Sequence, residues 1–427
     1  MLKIKKLLFI ALLASVIGSL SAQTDSPYSR YGYGVLRDKA VGPSKSMGGI
    51  GYGLRNSQSA NPLNPASYSR VDSLTFLFDI GVSATFGKMS DASGSENKTT
   101  GGLDYITMLV PLKKGLGFSF GVLPFSSLGY KFGTSDTSGP VPNSQSFSGT
   151  GGLSQVYAGI GYSTPLKGLS VGANVSYLFG TLEYNKNLTL VSPAYSSVDV
   201  TELSIKAAQF DLGIQYELPL SKTKKLTIGA VYSPKINSKA DYVNMHYDIA
   251  STVLGDTTRH NSIDAGIPDT YGLGFTMAHG NKLVWGADAT YQRWSDVKFP
   301  AYMNDGLDNS NRFNDRWKYN IGAEYMIDPY DRSFFKKIKF RGGLNYSNSY
   351  MNVKAGNNID GYKEYGATLG FGLPIKDNLG QRVSYINLNF EYKKLKPKLS
   401  NMVNEEYFGI SLNVNINEFW FFRRKAE

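Results

Sequence analysis

Catalysis needs groups that move protons, attack or hold a metal, and few residues of this 427-residue chain stand in such patterns. The chain has no cysteine and three histidines, His246, His260 and His279. Without cysteine there is no thiolate nucleophile, no thiolate metal site, no disulfide and no lipid-bearing N-terminal cysteine. The histidines form no His-Glu-x-x-His pattern and no dense metal cluster, and isolated loop histidines read as solvated side chains. Gly49-Ile50-Gly51-Tyr52-Gly53 has the glycine density of a phosphate loop, but it lacks the strand–turn–helix setting that aims N–H groups at a phosphate. A turn or close-packing role fits it better. His279 falls in an expected turn with no nucleophile beside it. The sequence predicts a non-enzyme with no cofactor and no metal.

Such a chain must do its work by binding, passage or assembly. Lys and Arg number 45 against 34 acidic residues, a formal charge of +11. These basic residues spread over turns and segment ends, so nucleic acid is not the expected partner. At the rims of a barrel they would meet outer-membrane lipids with anionic head groups. Tyr and Phe are abundant at 29 and 23, Gly reaches 46, hydrophobic residues are only 41 %, and mean hydropathy is negative. A helical membrane protein is excluded by that balance, whereas a transmembrane β-barrel, in which every second residue faces lipid, is favoured.

The one long apolar run is N-terminal. Lys3, Lys5 and Lys6, the apolar stretch 7–17 and Ser19-Leu20-Ser21-Ala22 make the three parts of a secretory signal peptide, residues 1–22. Export follows, and removal of the three lysines leaves +8. Residues 23–72 contain Pro27, Pro43, Pro62 and Pro65 and keep neither a helical nor a strand period. They still offer Tyr28, Tyr31, Tyr33, Met47, Ile50 and Tyr52 for burial, and Arg30, Arg37, Lys45, Arg55 and Arg70 as donors. A compact plug inside a polar lumen would satisfy both sets. The alternative is a flexible periplasmic tail.

From residue 73 to 419 the pattern is alternation broken by turn residues. Strands are expected at 74–85, 103–111, 116–131, 153–164, 169–184, 201–219, 226–234, 268–278, 283–299, 316–327, 338–353, 362–374, 383–394 and 407–416. The fold class is therefore all-β, an antiparallel transmembrane barrel of about 14 strands with an N-terminal plug and both termini periplasmic. Residues 420–427 form a short basic periplasmic tail. The connections alternate in length: 112–115, 165–168, 220–225, 279–282, 328–337 and 375–382 are mostly short, and 87–101, 133–151, 185–200, 235–267 and 300–314 are mostly long. Pro124 sits inside the third strand, where it must mark a bulge or a gap in the wall, since a closed barrel has no edge.

Three stretches give the chain a family resemblance. Met47-Gly48-Gly49 followed by Asn64-Pro65-Ala66-Ser67 resembles an N-terminal hatch that leads into strand one. Pro124-Phe125-Ser126-Ser127-Leu128-Gly129-Tyr130 with Gly149-Thr150-Gly151-Gly152-Leu153 resembles the segments around strands three and four, and Phe419-Trp420-Phe421-Phe422-Arg423-Arg424-Lys425 an aromatic-then-basic tail. The family is that of FadL-type long-chain fatty acid transporters, in particular its relatives in the outer membranes of Bacteroidota. The resemblance implies a hatch motif at Gly48, Gly49, Asn64, Pro65 and Ala66, and a lateral gap at Pro124 through which hydrophobic molecules leave the lumen. The chain departs from the family in its long connections, which are mostly polar. Only 242–254, with Val243, Met245, Tyr247 and Ile249, offers an apolar loop surface for a ligand or partner.

Two functions follow. One is passive passage of hydrophobic or amphipathic small molecules across the outer membrane. The other is that of a non-transporting barrel subunit of an assembly or secretion machine, with other outer-membrane barrels and surface lipoproteins as partners.

Overall fold

β6 (Leu169–Leu190) carries the architecture in miniature. Its odd-numbered residues point outward and its even-numbered residues inward, as a period of two requires. Along its first half the exposed residues are Val171, Val175, Tyr177 and Phe179, while Ser170, Asn174 and Ser176 are buried. Beyond that the chemistry swaps: Leu178, Leu182 and Tyr184 are buried, and the outward positions become Thr181, Glu183 and Asn185. β7 (Ser197–Pro219) repeats this in the opposite chain direction, with Phe210, Leu212, Ile214 and Tyr216 exposed over buried Gln209, Asp211 and Gln215, then Leu203, Ile205 and Ala207 turned inward. The apolar-out stretch 169–179 matches the about 9–11 residues a tilted strand needs to cross a bilayer. The second half is a water-facing wall around an apolar core.

The model of the chain is a computed structural model, and it describes residues 26–136, 142–190, 196–248, 255–300, 307–376 and 383–419. The expected signal peptide 1–22, the tail 420–427 and Ile249 lie outside the described residues. The remaining strands are β1 (Val35–Leu36), β2 (Thr75–Ser90), β3 (Ser95–Lys113), β4 (Leu116–Asp136), β5 (Asn143–Ser163), β8 (Lys224–Ser233), β9 (Ile236–Asp248), β10 (Thr257–Ile267), β11 (Thr270–His279) and β12 (Leu283–Gln292). Then come β13 (Arg316–Met326), β14 (Lys339–Asn348), a small separate hairpin of β15 (Val353–Ala355) and β16 (Asn358–Asp360), β17 (Tyr362–Lys376), β18 (Val383–Pro397) and β19 (Asn404–Phe419). Seventeen strands share one antiparallel sheet. β1 belongs to the N-terminal segment, and β8 with β9 and β10 with β11 are two wall strands each interrupted once, at Pro234 and Pro268. The wall therefore has fourteen strands, closed by the ladder from Asn404↔Ser90 to Phe419↔Thr75.

At the rim where β2 begins and β19 ends, most of the connections are short, as expected, with 327–338 the long one; 377–382 is outside the described residues. At the opposite rim four expected loops are largely strand, among them 185–200, where 185–190 belongs to β6 and 197–200 to β7. β2 and β3 continue to a turn at Asp91–Gly94 in place of the loop 87–101, most of 133–151 belongs to β4 and β5, and 235–267 is largely β9 and β10. The reverse error falls at 283–299, where the strand ends at Gln292 and a short 3-10 turn, Trp294–Asp296, follows. Among the described residues no helix is long and apolar enough to cross a membrane, which says nothing about crossing by strands. The apolar-out band fits an outer-membrane protein.

Residues 26–73 bond and pack against inward-facing residues of this ring. Ser26 Oγ donates to Glu405 on β19 at 2.9 Å, Asn174 on β6 to the Pro62 carbonyl at 3.2 Å, and Thr276 on β11 to the Gly53 carbonyl at 2.7 Å. Tyr28, Tyr33, Met47, Ile50 and Tyr52 are buried, and Tyr31 is half-buried. Tyr33 packs in the apolar half against Trp294, Phe299 and Phe313, and donates to the Gly266 carbonyl at 2.8 Å. Burial pushes its phenol pKa far up, so it remains a donor.

Candidate functional site

The two parts of the N-terminal motif are each bonded to the wall. Gly48 and Gly49 take φ of +67° and +85°, the left-handed region that glycine tolerates. The Gly48 N–H donates to Thr368 Oγ1 on β17 at 2.9 Å, and the Gly49 carbonyl accepts from Asn320 on β13 at 3.1 Å. A Cβ on Gly48 would lie 2.6 Å from the Ile321 carbonyl oxygen, so the glycine is also required by the closeness of the wall. Asn64 is fully buried and caps the 3-10 turn Pro65–Arg70 by accepting from the Ala66 N–H at 3.1 Å. Its amide donates to the Tyr52 carbonyl at 2.8 Å and the Ile214 carbonyl at 3.1 Å. Asn61 reaches the carbonyls of Gly51 and Leu54 at 2.7 and 3.0 Å. The two asparagines thus staple the glycine-rich run to the Asn-Pro turn and to β7.

Charged wall residues that the sequence did not single out hold the same segment. Asp288 on β12 accepts from the Gly51 and Tyr52 N–H groups at 2.6 and 2.9 Å. Asp104 on β3 pairs with Lys45 and, at 3.3 Å, with Arg37, while Asp211 on β7 pairs with Lys39 at 3.3 Å. Lys318 on β13 pairs with Asp38. Burial pushes the Asp38 carboxyl up, but Lys318, Arg316 and Lys393 outweigh it and hold the group below the usual aspartate range. Not all five expected donors take such partners. Arg55 donates to Ser170 at 2.8 Å, Arg30 stacks 4.5 Å over the Phe147 ring, and Arg70 is exposed.

Pro124 lies just beyond the point where the β3–β4 ladder stops. The β3–β4 ladder ends at Ile106↔Val122, and from there to the far rim β3 pairs only with β2. β4 stays paired with β5, with a register shift between Pro124 and Ser126, because proline gives no N–H to a ladder. Its vacated edge is taken by the N-terminal segment: β1 pairs Val35↔Ser127 and Leu36↔Ser126, and the Arg37 N–H donates to the Phe125 carbonyl at 2.9 Å. Behind the break lies a cavity of about 150 Å³ lined by Leu123, Pro124, Asp104, Tyr105 and Lys45. A second cavity of about 120 Å³ lies beyond the Leu36–Arg37–Asp38 ribbon, which borders both.

The other sequence candidates do not join this site. Val243, Met245 and Tyr247 are on a paired strand, β9, and not on a loop. They share the parity of exposed Asn237, Lys239 and Asp241, which puts them on the outer face, half-buried. His246 sits near that rim against Asp199 at 2.7 Å, His260 on β10, and His279 at the opposite end of β11. Among the described residues no grouping could hold a metal.

In fold the ring of fourteen strands resembles the FadL-type barrels. A crystal structure of a Pseudomonas aeruginosa FadL homologue aligns with a TM-score of 0.61 at 14 % identity over 89 % of this chain and 99 % of that one. The Pseudomonas putida toluene transporter TodX aligns with a TM-score of 0.58 at 15 % identity over 91 % and 100 %, and the Ralstonia pickettii toluene transporter TbuX with 0.57 at 15 % over 89 % and 98 %. At such identities the likeness is one of fold. No curated protein matches the chain by sequence. The chain belongs to the BamG family, whose model matches residues 1–427.

Proposed function

We propose that this chain is an outer-membrane channel for the passive passage of small amphipathic molecules, with residues 23–72 as its plug and the break at Pro124 as its opening toward the membrane. The carrying observation is that an internal cavity meets the wall where the β3–β4 ladder stops. The names of the fold relatives, toluene transporters among them, support passage of hydrophobic compounds. The charged lining here, with Asp104, Lys45 and Arg37, favours molecules that also carry a polar group. In this reading the termini are periplasmic, the basic turns Lys113-Lys114, Lys167 and Lys222 face anionic head groups, and the chain is not an enzyme.

Replacing Pro124 by Val supplies a ladder N–H at the break. Uptake of an amphipathic dye into proteoliposomes should fall in the Pro124→Val variant, and unchanged uptake would refute the lateral opening.

A second reading is favoured by a different observation. Asp104, Asp211 and Asp288, from three separate strands, all anchor the internal segment. A segment so held suits a permanent stopper, hence a barrel that serves as a subunit beside other outer-membrane barrels and surface lipoproteins. Gentle detergent extraction followed by mass spectrometry separates the two: stoichiometric companions favour the subunit, and a lone barrel the channel.

A further inference from the structure

We infer that the second internal cavity is a binding site for a small organic anion, recognised by Arg316. The site would be the selective step of the channel proposed above, and in that role it rests on that reading.

The argument is one of charge matching. Cationic side chains bordering this cavity are Arg37, Lys39, Arg316, Lys318 and Lys393. Four have carboxylate partners: Arg37 with Asp104 at 3.3 Å, Lys39 with Asp211 at 3.3 Å, Lys318 with Asp38, and Lys393 with Glu364 at 3.6 Å. Arg316 has none among the described residues; its guanidinium donates to the Ser347 hydroxyl at 3.2 Å. It stands on the inward parity of β13 with Lys318 and Asn320, opposite the exposed Trp317, Tyr319 and Ile321.

A guanidinium carries five donors in a planar fork that fits a carboxylate with two parallel hydrogen bonds. Asp38 and Glu364 act on Arg316 through space, but one neutral hydroxyl leaves most of its hydrogen-bonding capacity unused in a space walled partly by Trp294, Ile267, Phe125 and Leu63. An anion would match it, and those four side chains would take the apolar remainder. The volume, about 120 Å³, equals that of about four liquid waters. It has room for a ring-sized or short-chain acid.

Titration calorimetry on the full-length protein in detergent, with benzoate and its neutral counterpart benzyl alcohol, tests this. Benzoate should bind at least tenfold more tightly than the alcohol. Arg316→Met should weaken benzoate at least tenfold and leave the alcohol unchanged, and Arg316→Lys, which keeps charge without the fork, should fall between. Heat-modifiable gel mobility checks that each variant keeps its barrel. Equal affinity for acid and alcohol, benzoate binding indifferent to Arg316→Met, or no benzoate binding in the millimolar range would each overturn the site. Proteoliposome flux separates this from the channel: Arg316-dependent binding without flux leaves the site standing and removes the channel, whereas flux of the alcohol without benzoate binding does the reverse.

Discussion

Replacing Asn64 with Ala should release the N-terminal segment without opening the barrel. The side chain makes three hydrogen bonds from a fully buried position: one accepted from the Ala66 N–H, two donated to the carbonyls of Tyr52 and Ile214. Loss of the cap costs about 1 kcal/mol. The Tyr52 carbonyl keeps its bond from Gln215 at 2.9 Å, so only the bond to the Ile214 carbonyl and the filled volume remain to be lost. Together these amount to about 2–4 kcal/mol. If the segment opens locally, its open population rises roughly thirty- to a thousandfold. The wall is closed by β19 and β2, whose ladder contains no residue of the segment. Limited proteolysis of the detergent-folded protein should therefore cut within 26–73 far faster in the variant, while heat-modifiable gel mobility still reports a closed barrel. Cleavage at the wild-type rate would refute the staple, and loss of the barrel together with the segment would refute their independence.

Other perturbations have defined outcomes. Gly48→Ala combines a left-handed φ, costing about 1–2 kcal/mol in a non-glycine residue, with a 2.6 Å approach to the Ile321 carbonyl, and should raise the same proteolytic sensitivity. Asp104→Ala strands Lys45 and Arg37 in the lumen and should destabilise the segment by about 3 kcal/mol, near the low end for a broken buried pair because Arg37 is partly solvated. The folded pKa of Asp38 lies below its unfolded value, so its contribution is complete above about pH 4 and fades as pH falls through the folded value. Proteolysis followed from pH 7 to pH 3 should show that step in the native protein and a smaller one in Asp38→Asn.

The membrane band was legible because its alternation is chemically one-sided: Leu283, Trp285, Ala287 and Ala289 against Asp288 and Gln292 can satisfy lipid outside and water inside in only one register. The far half was not. There the outward positions are polar, as at Thr181, Glu183 and Asn185, and stretches such as 87–101 have the composition of loops although they pair as strands. Pro234 and Pro268 read as strand ends, but each interrupts a wall strand that resumes after it; the Lys235 N–H bonds across both breaks to Asp269 at 2.8 Å. Pro124 was readable as a defect, because proline in a closed sheet has few places to be. Asp104, Asp211 and Asp288 were not, because an inward carboxylate that anchors a segment resembles any other inward polar residue until the segment is in place.

Ser26 and Glu405, bonded at 2.9 Å, are separated by 379 positions in the chain. The segment that leaves the ribosome early can therefore complete its contacts only after the final strand exists. Long loop closures of this kind slow folding, and until that moment Tyr28, Tyr33, Met47 and Ile50 have no core to enter. Until then those side chains are unburied and vulnerable to aggregation. Maturation of this barrel thus has a natural last event, the docking of its own N-terminus, and a rate that can be timed separately from closure of the wall.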